Sequence, residues 1–518
     1  MEMFARRAGA AVLLASALWL LAAAAPRADD GVKAVGDFRG LPTYVSHDGV
    51  LNATLVAAPK AIVVGGVRLA ASVFNGEYGG PVLEVKPGDK LNVRLVNHTS
   101  LPINIHFHGS YASPAGHGDN VHTEVDPGTS FDYHLTVPRD QPPGLYWYHT
   151  HIHGLAEAEV NAGLSGAMIV DGVQARIPET AAAKTRLLVL KTFDVARPND
   201  PGVTELHGVV QSINGAAHTE IHAQAGATEF WRISNQSAND YYHLYIKGAS
   251  FRIVSTDGAP TQRDIPANRL DIAPAGRAEV MVTLPAAGDY PLMSGSTLTG
   301  TRHNKKVARE LAIVKVTGVA PAIPAARPLV GVRRGPAAPD LRQGPIALKR
   351  LIVFSEDADQ NLYMINGRTF DHKRIDVRVP LGTVEEWTIR NDTDDMHVFH
   401  IHQLHFQVVS IDGEAQPFDN QLDTVRVPER GEVTILIPFT NPDMVGRFVF
   451  HCHVLKHEDH GMMAKVEVYD PRVGPDVSDG SNLELRGRRP WWQAWFGRTP
   501  WIGGYICHTN GPVDAAPS

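Results

Sequence analysis

Four short clusters carry the chemistry that stands out in this chain of 518 residues. They are His106-Phe107-His108, His149-Thr150-His151, His397-Val398-Phe399-His400-Ile401-His402 and His451-Cys452-His453-Val454-Leu455-Lys456-His457. One HxH pair alone means little, because paired surface histidines are common. Register raises these clusters above that level: His106 follows Asn97 by nine residues, and His400 follows Asn391 by nine. On a strand, alternate residues share a face at roughly 6–7 Å. That spacing is long for two ligands of one metal and suits two imidazoles reaching neighbouring metals. If the two halves that carry them face each other, eight imidazoles converge on one cavity. Neutral nitrogen ligands in that number fit about three soft-to-borderline ions, and copper is the natural choice.

Cys452 lies between His451 and His453, so on a strand it faces the other way. There it needs partners of its own. His457 follows five residues on, Met462 ten residues on, and His397 opens the third cluster. Two imidazoles, a thiolate and a weak thioether make a blue-copper electron-transfer set. One tripeptide would then serve two metal sites back to back. The competing reading is a buried core cysteine among histidines that pack for other reasons. It requires twelve ligand-type residues to be so spaced by coincidence.

Such clusters need a frame, and three stretches share one grammar. They start at Asn75-Gly76, Asn214-Gly215 and Asn366-Gly367. They pass Gly88, Gly226 and Gly382 and close nine residues later at Asn97, Asn235 and Asn391. A fixed interval used three times implies one structural unit used three times. Leu91-Asn92-Val93-Arg94-Leu95 and Ile375-Asp376-Val377-Arg378-Val379 alternate strictly, and Gly, Pro and Asp punctuate the runs. Short alternating strands with frequent turns predict antiparallel sandwiches or Greek-key barrels. The expected domains span 41–172, 180–318 and 346–470, with a Pro- and Ala-rich linker at 319–345 and a tail at 471–518. In the second unit the positions matching the HxH pair are Leu244 and Ile246, which bind no metal.

Composition narrows the class further. Lys+Arg 48 against Asp+Glu 55 gives a net charge of −7, so no basic excess points to nucleic acid. Two cysteines exclude a disulfide scaffold and a Cys-rich zinc or iron–sulfur protein. Met1 to Ala28 reads as a secretory signal, with Arg6 and Arg7 before an apolar run and Ala23-Ala24-Ala25 as a cleavage site. The mature chain is therefore expected to be exported, periplasmic or extracellular, with no stable membrane span. An uncleaved anchor is the other reading of that run, and Arg6-Arg7 matches a twin-arginine signal poorly. The tail carries Trp491, Trp492, Trp495 and Trp501, and Cys507 has no evident partner.

Taken together, the four motifs resemble those of the multicopper oxidases over about residues 41–470. The resemblance implies an all-β chain of three cupredoxin-like Greek-key β-sandwich domains and four copper ions: one type 1, one type 2 and two type 3. It assigns His106 and His400 to the type 2 ion, and His108, His149, His151, His402, His451 and His453 to the type 3 pair. His397, Cys452 and His457 match the type 1 ligands, with Met462 axial. Glu458 and Asp119 match acids that feed protons to the oxygen site, Asp119 less closely because its loop is longer than in close comparators; Asp119 also reads as an ordinary turn residue, and Glu458 as a solvated or helix-end carboxylate. O2 and a small reducing substrate are the implied partners, and the sequence leaves the oligomeric state open. Laccase-like oxidation of phenols and aromatic amines is the leading expectation. The alternative is a metallo-oxidase acting on Cu(I), Fe(II) or Mn(II); ten methionines without a Met-rich insert favour organic donors. A two-copper nitrite reductase and a non-catalytic cupredoxin-fold scaffold are the other classes, and filled ligand positions oppose both. His117, His122, His153, His405 and His460 read as structural neighbours of the motifs.

Overall fold

The computed structural model describes residues 38–194, 209–299, 305–318 and 338–475. The expected signal, residues 319–337 of the linker, the tail from 476 onward and Cys507 lie outside them. Three β-sandwiches follow one another along the chain. In the first, a sheet ordered Val67–Phe74, Val50–Val64, Lys90–Asn97, Ser130–Thr136 faces one that ends Ser165–Val170, Gly144–His149, His106–His108. The second and third each pair a six-stranded sheet with a five-stranded one, in the same spatial order. Alternation drives the packing: along Lys90–Asn97, Leu91, Val93 and Leu95 are buried while Lys90 and Arg94 face out. Each sandwich has its own core. Phe107, Tyr133 and Tyr148 fill the first, Trp231 and Tyr242 the second, and Trp387, Phe399 and Phe450 the third.

The sequence repeat is a structural repeat. Asn75, Asn214 and Asn366 all take left-handed backbone, φ 52, 52 and 53, and each is followed by a left-handed glycine. Two such residues in a row are what a tight hairpin turn requires, and Asn-Gly meets it with least strain. Each Asn side chain also accepts a backbone N–H, from Val56, Val189 and Val353. The closing residues Asn97, Asn235 and Asn391 do one job three times. Each donates its amide to two carbonyls and accepts the N–H of the residue two positions on. The second and third units share a further device: Trp231 and Trp387 donate to Glu229 and Glu385, which also hold Arg186 and Arg350.

Two short helices, Ala156–Ala162 and Leu455–Asp459, follow ligand-bearing strands of the first and third sandwiches. Asp459 joins them, accepting from the backbone of Gly154, Ala156 and Glu157 at 2.9, 3.2 and 2.8 Å. The last residues of the Pro- and Ala-rich segment dock on the third sandwich: Leu341 is buried and donates its N–H to Gln407. Among the described residues no helix is long and apolar enough to cross a membrane.

Candidate metal centre

The HxH strands occupy matching places in the first and third sandwiches. In the first, His106 pairs across the ladder with His149. In the third, His400 pairs with His451. The two pairs meet between the sandwiches, where His106 stacks on His402 at 3.7 Å and His108 on His400 at 3.9 Å. Leu244 and Ile246 of the second sandwich are buried core residues, as their side chains require.

Four groups of side chains converge closely enough to hold an ion: His106, His108 and His400; His108, His149 and His453; His151, His402 and His451; and His397, Cys452 and His457. The HxH pairs at 149/151, 400/402 and 451/453 each divide between groups, as the strand spacing predicts. His106 and His108 share a group with His400, and His108 belongs also to the next, with His149 and His453.

The imidazoles are arranged as ligands. Four of the eight have one nitrogen tied outward and the other bare, and His453 has both bare. His106 Nδ1 lies 3.0 Å from Asp119, His149 Nδ1 2.9 Å from the Thr150 carbonyl, and His400 Nδ1 2.8 Å from the Asp423 carbonyl. Their Nε2 atoms are buried with no hydrogen-bond partner. His108 is the reverse, with Nε2 3.3 Å from Asp423 Oδ1 and Nδ1 bare. The outward bond selects the tautomer and leaves a lone pair facing the cavity. Burial and neighbouring imidazoles keep His106, His108, His149, His402 and His453 well below the usual histidine range, and burial takes His151 down to about 4 and His400 to about 3. Neutral, desolvated nitrogens without partners are costly in a buried site and fit a soft-to-borderline cation. Copper suits this donor set.

Cys452 faces away from that cavity, as its place between two ligands dictates. Its Sγ lies 3.4 Å from His397 Nδ1 and 3.6 Å from His457 Nδ1, and those two nitrogens are 3.0 Å apart. Met462 is fully buried in the same core cluster. Burial pushes the thiol up to about 12, so the sulfur needs a cation beside it to lose its proton. His457 is 5% exposed and carries the Tyr363 ring stacked on it at 4.2 Å.

Both acids lie against the cavity. Asp119 touches His106, accepts the Phe107 N–H and is held by Gln403 at 2.6 Å. Burial pushes its carboxyl up to about 8, against those two hydrogen bonds. Glu458 lies 3.1 Å from His451 Nδ1 and 3.5 Å from His151 Nδ1. Burial works upward on it, but those imidazoles bring it below the usual carboxylate range.

Sequence reasoning missed Asp423 and Arg277. Arg277, from the second sandwich, grips both Asp423 oxygens at 2.7 and 2.5 Å, and both residues are completely buried. Arg277 also reaches the Leu145 carbonyl of the first sandwich, so the pair ties all three units beside His108. His405 joins it, bridging Asp423 to the Tyr111 hydroxyl. No periodicity marks such a contact, because the charges come from segments 146 residues apart.

Multicopper oxidase family models match residues 56–175, 181–318 and 344–472. The chain belongs to the multicopper oxidases. This makes it a copper-dependent oxidoreductase with O2 as acceptor. Among relatives, the multicopper oxidase mco of Staphylococcus haemolyticus is 26% identical, over 76% of this chain and 83% of its own. A laccase of Bacillus subtilis is 23% identical, over 77% and 90%. The solved structure of a multicopper oxidase from Campylobacter jejuni, described as a metallo-oxidase, superposes with a TM-score of 0.72 at 26% identity, covering 85% of this chain and 96% of that one. The cupredoxin sandwich fold expected from the motifs is the fold of these neighbours.

Proposed function

We propose that this multicopper oxidase is laccase-like: it takes single electrons from phenols or aromatic amines and reduces O2 to two waters. The reading assigns four copper ions. His397, Cys452, His457 and Met462 would hold the type 1 ion, His106 and His400 the type 2 ion, and His108, His149, His151, His402, His451 and His453 the type 3 pair. Copper, when bound, supplies one-electron redox chemistry at the sulfur-bearing set and O2 reduction at the imidazole set. Everything else falls to the chain. Cys452 and its neighbours His451 and His453 form a short bonded path between the two sets. His457, 5% exposed where His397 is fully buried, is the imidazole of this set nearer to an outside donor. The burial of the imidazole set keeps bulky reductants away from O2. Asp119 holds a proton at its carboxyl beside His106, and Glu458 sits where it can pass one between the His151 and His451 sides. The chain is proposed to act outside the cytoplasm after removal of its Met1–Ala28 signal.

What carries this reading is the back-to-back arrangement of His451-Cys452-His453, with both imidazoles in all-histidine groups and the sulfur in a separate group with His397 and His457. A second reading, a metallo-oxidase acting on Cu(I), Fe(II) or Mn(II), draws support from the likeness to the Campylobacter jejuni protein. Oxygen uptake by the copper-loaded chain separates the two when a methoxyphenol, Cu(I), Fe(II) and Mn(II) are offered in turn. Turnover highest with the phenol supports the laccase-like reading, and turnover with one metal ion alone transfers it to the second.

A further inference from the structure

We infer that Thr393 is a positioning residue for His397: its hydroxyl fixes which ring nitrogen of that imidazole faces Cys452. The inference rests on the reading of His397 as a type 1 ligand and concerns how that ligand is set.

Thr393 Oγ1 lies 2.7 Å from His397 Nε2, and both residues are buried. The same oxygen lies 2.8 Å from Asn391 Oδ1 and 3.2 Å from the Asp395 carbonyl, and it accepts the Asp395 N–H at 3.3 Å. A hydroxyl has one proton to give. Its destination is shown by the first sandwich, where the corner is built the same way without a histidine. There Thr99 Oγ1 reaches Asn97 Oδ1 at 2.7 Å and the Leu101 carbonyl at 2.9 Å, and it accepts the Leu101 N–H at 3.4 Å. The corner takes the hydroxyl proton in both units. Toward His397 the oxygen is therefore an acceptor, and the ring's own proton sits on Nε2. That leaves Nδ1 bare, the atom 3.4 Å from Cys452 Sγ. A ring that offers a lone pair to a metal is neutral, so it has one proton to place.

The second sandwich shows that the corner does not demand this arrangement. Ser237 occupies the position there, and its hydroxyl turns to Thr192 and Tyr242 instead. Asn391 thus does in the third sandwich what Asn97 does in the first, and the hydroxyl two residues on is recruited to a ligand only where a ligand exists. His457 is held differently, by the Tyr363 ring stacked on it at 4.2 Å. One imidazole of the sulfur site is fixed by a hydrogen bond, the other by a ring stack.

Three variants test this in the copper-loaded full chain. Thr393→Val keeps the shape and removes the acceptor, Thr393→Ser keeps the hydroxyl, and Thr99→Val removes the same corner hydroxyl where its partners are Asn97 and Leu101 rather than a histidine. Loss of the partner of a ligating histidine typically lowers metal affinity ~10–100-fold. Thr393→Val should weaken copper at the blue site by that factor in competition with a chelator. It should also raise the reduction potential, because an imidazole without its Nε2 acceptor is a poorer donor to oxidised copper. Thr393→Ser should restore both to the values of the unaltered chain. Thr99→Val should leave both unmoved, while its melting midpoint reports what the corner alone is worth. If Thr393→Val does not fold, Thr393→Ala takes its place. A blue band whose affinity and potential are the same in Thr393→Val as in the unaltered chain overturns this inference alone. Absence of any blue band in the unaltered chain overturns the copper reading and this inference with it.

Discussion

Removing the charge of Asp423 while keeping its shape should loosen the junction of the three sandwiches. In Asp423→Asn, Arg277 loses a two-pronged carboxylate at 2.7 and 2.5 Å and stays completely buried. It keeps the Ala275 and Leu145 carbonyls and, at 3.4 Å, one oxygen of Asp257. Asp257 is a weak substitute, because burial pushes its carboxyl up even with Arg277 beside it. Breaking a buried pair by removing one partner costs ~3–5 kcal/mol. With Asp257 left in place the lower end applies, about 3 kcal/mol. At ~2–4 °C per kcal/mol for domains of this size, the melting midpoint should fall by roughly 6–12 °C. The assay is calorimetry on the copper-free chain, so that metal binding does not add its own stabilisation. The double variant Arg277→Met, Asp423→Leu removes both charges and should be less damaged than the sum of the two single changes. A loss under ~1 kcal/mol, as for an exposed pair, would refute the argument. So would a double variant equal to that sum.

Two other positions give sharp expectations. Gly109 has φ +81, and a Cβ there would run into an Asp423 carboxylate oxygen and lie 2.9 Å from the Tyr146 ring. Gly109→Ala should therefore lower the melting midpoint, by about 1–3 kcal/mol of backbone strain alone, and reduce copper content through the displaced Asp423; an unchanged midpoint would contradict the geometry. Lys191 is buried, and burial brings its ammonium down to about 7. Its unfolded value is ~10.4, so between these pH values the unfolded chain binds a proton that the folded chain does not, and stability rises with pH across that window. Lys191→Met should accordingly gain most over the unaltered chain at pH 7 and below, on the order of a few kcal/mol, and the gain should shrink toward pH 10 in urea titrations. A gain independent of pH would show that the lysine is already charged in the fold.

The features legible in the sequence are those that recur at fixed spacing. The Asn-Gly turns, the closing asparagines and the alternating strands are local, so each copy announces itself and the others reinforce it. Cys452 was legible for a similar reason, since a strand's period of two assigns it and its flanking histidines to opposite sides. Contacts between distant segments were hidden. Arg277 reaches Asp423 across 146 residues, and Thr393 matters only because a fold corner happens to present its hydroxyl to His397. Asp119 stood out by position, but its contact with His106 depends on the path of a long loop that no pattern dictates. The docking of Leu341 on Gln407 likewise comes from a segment whose composition suggests only a linker.

The central claim is that one strand serves two metal sites, sulfur on one face and imidazoles on the other. Counting copper in the loaded chain and in Cys452→Ser, alongside the blue absorption, tests it most directly. The proposed assignment predicts about four ions in the unaltered chain and about three in the variant, which should lose both the blue band and all donor oxidation while the imidazole set stays filled. A variant that keeps its colour, or that sheds all its copper at once, would contradict the account.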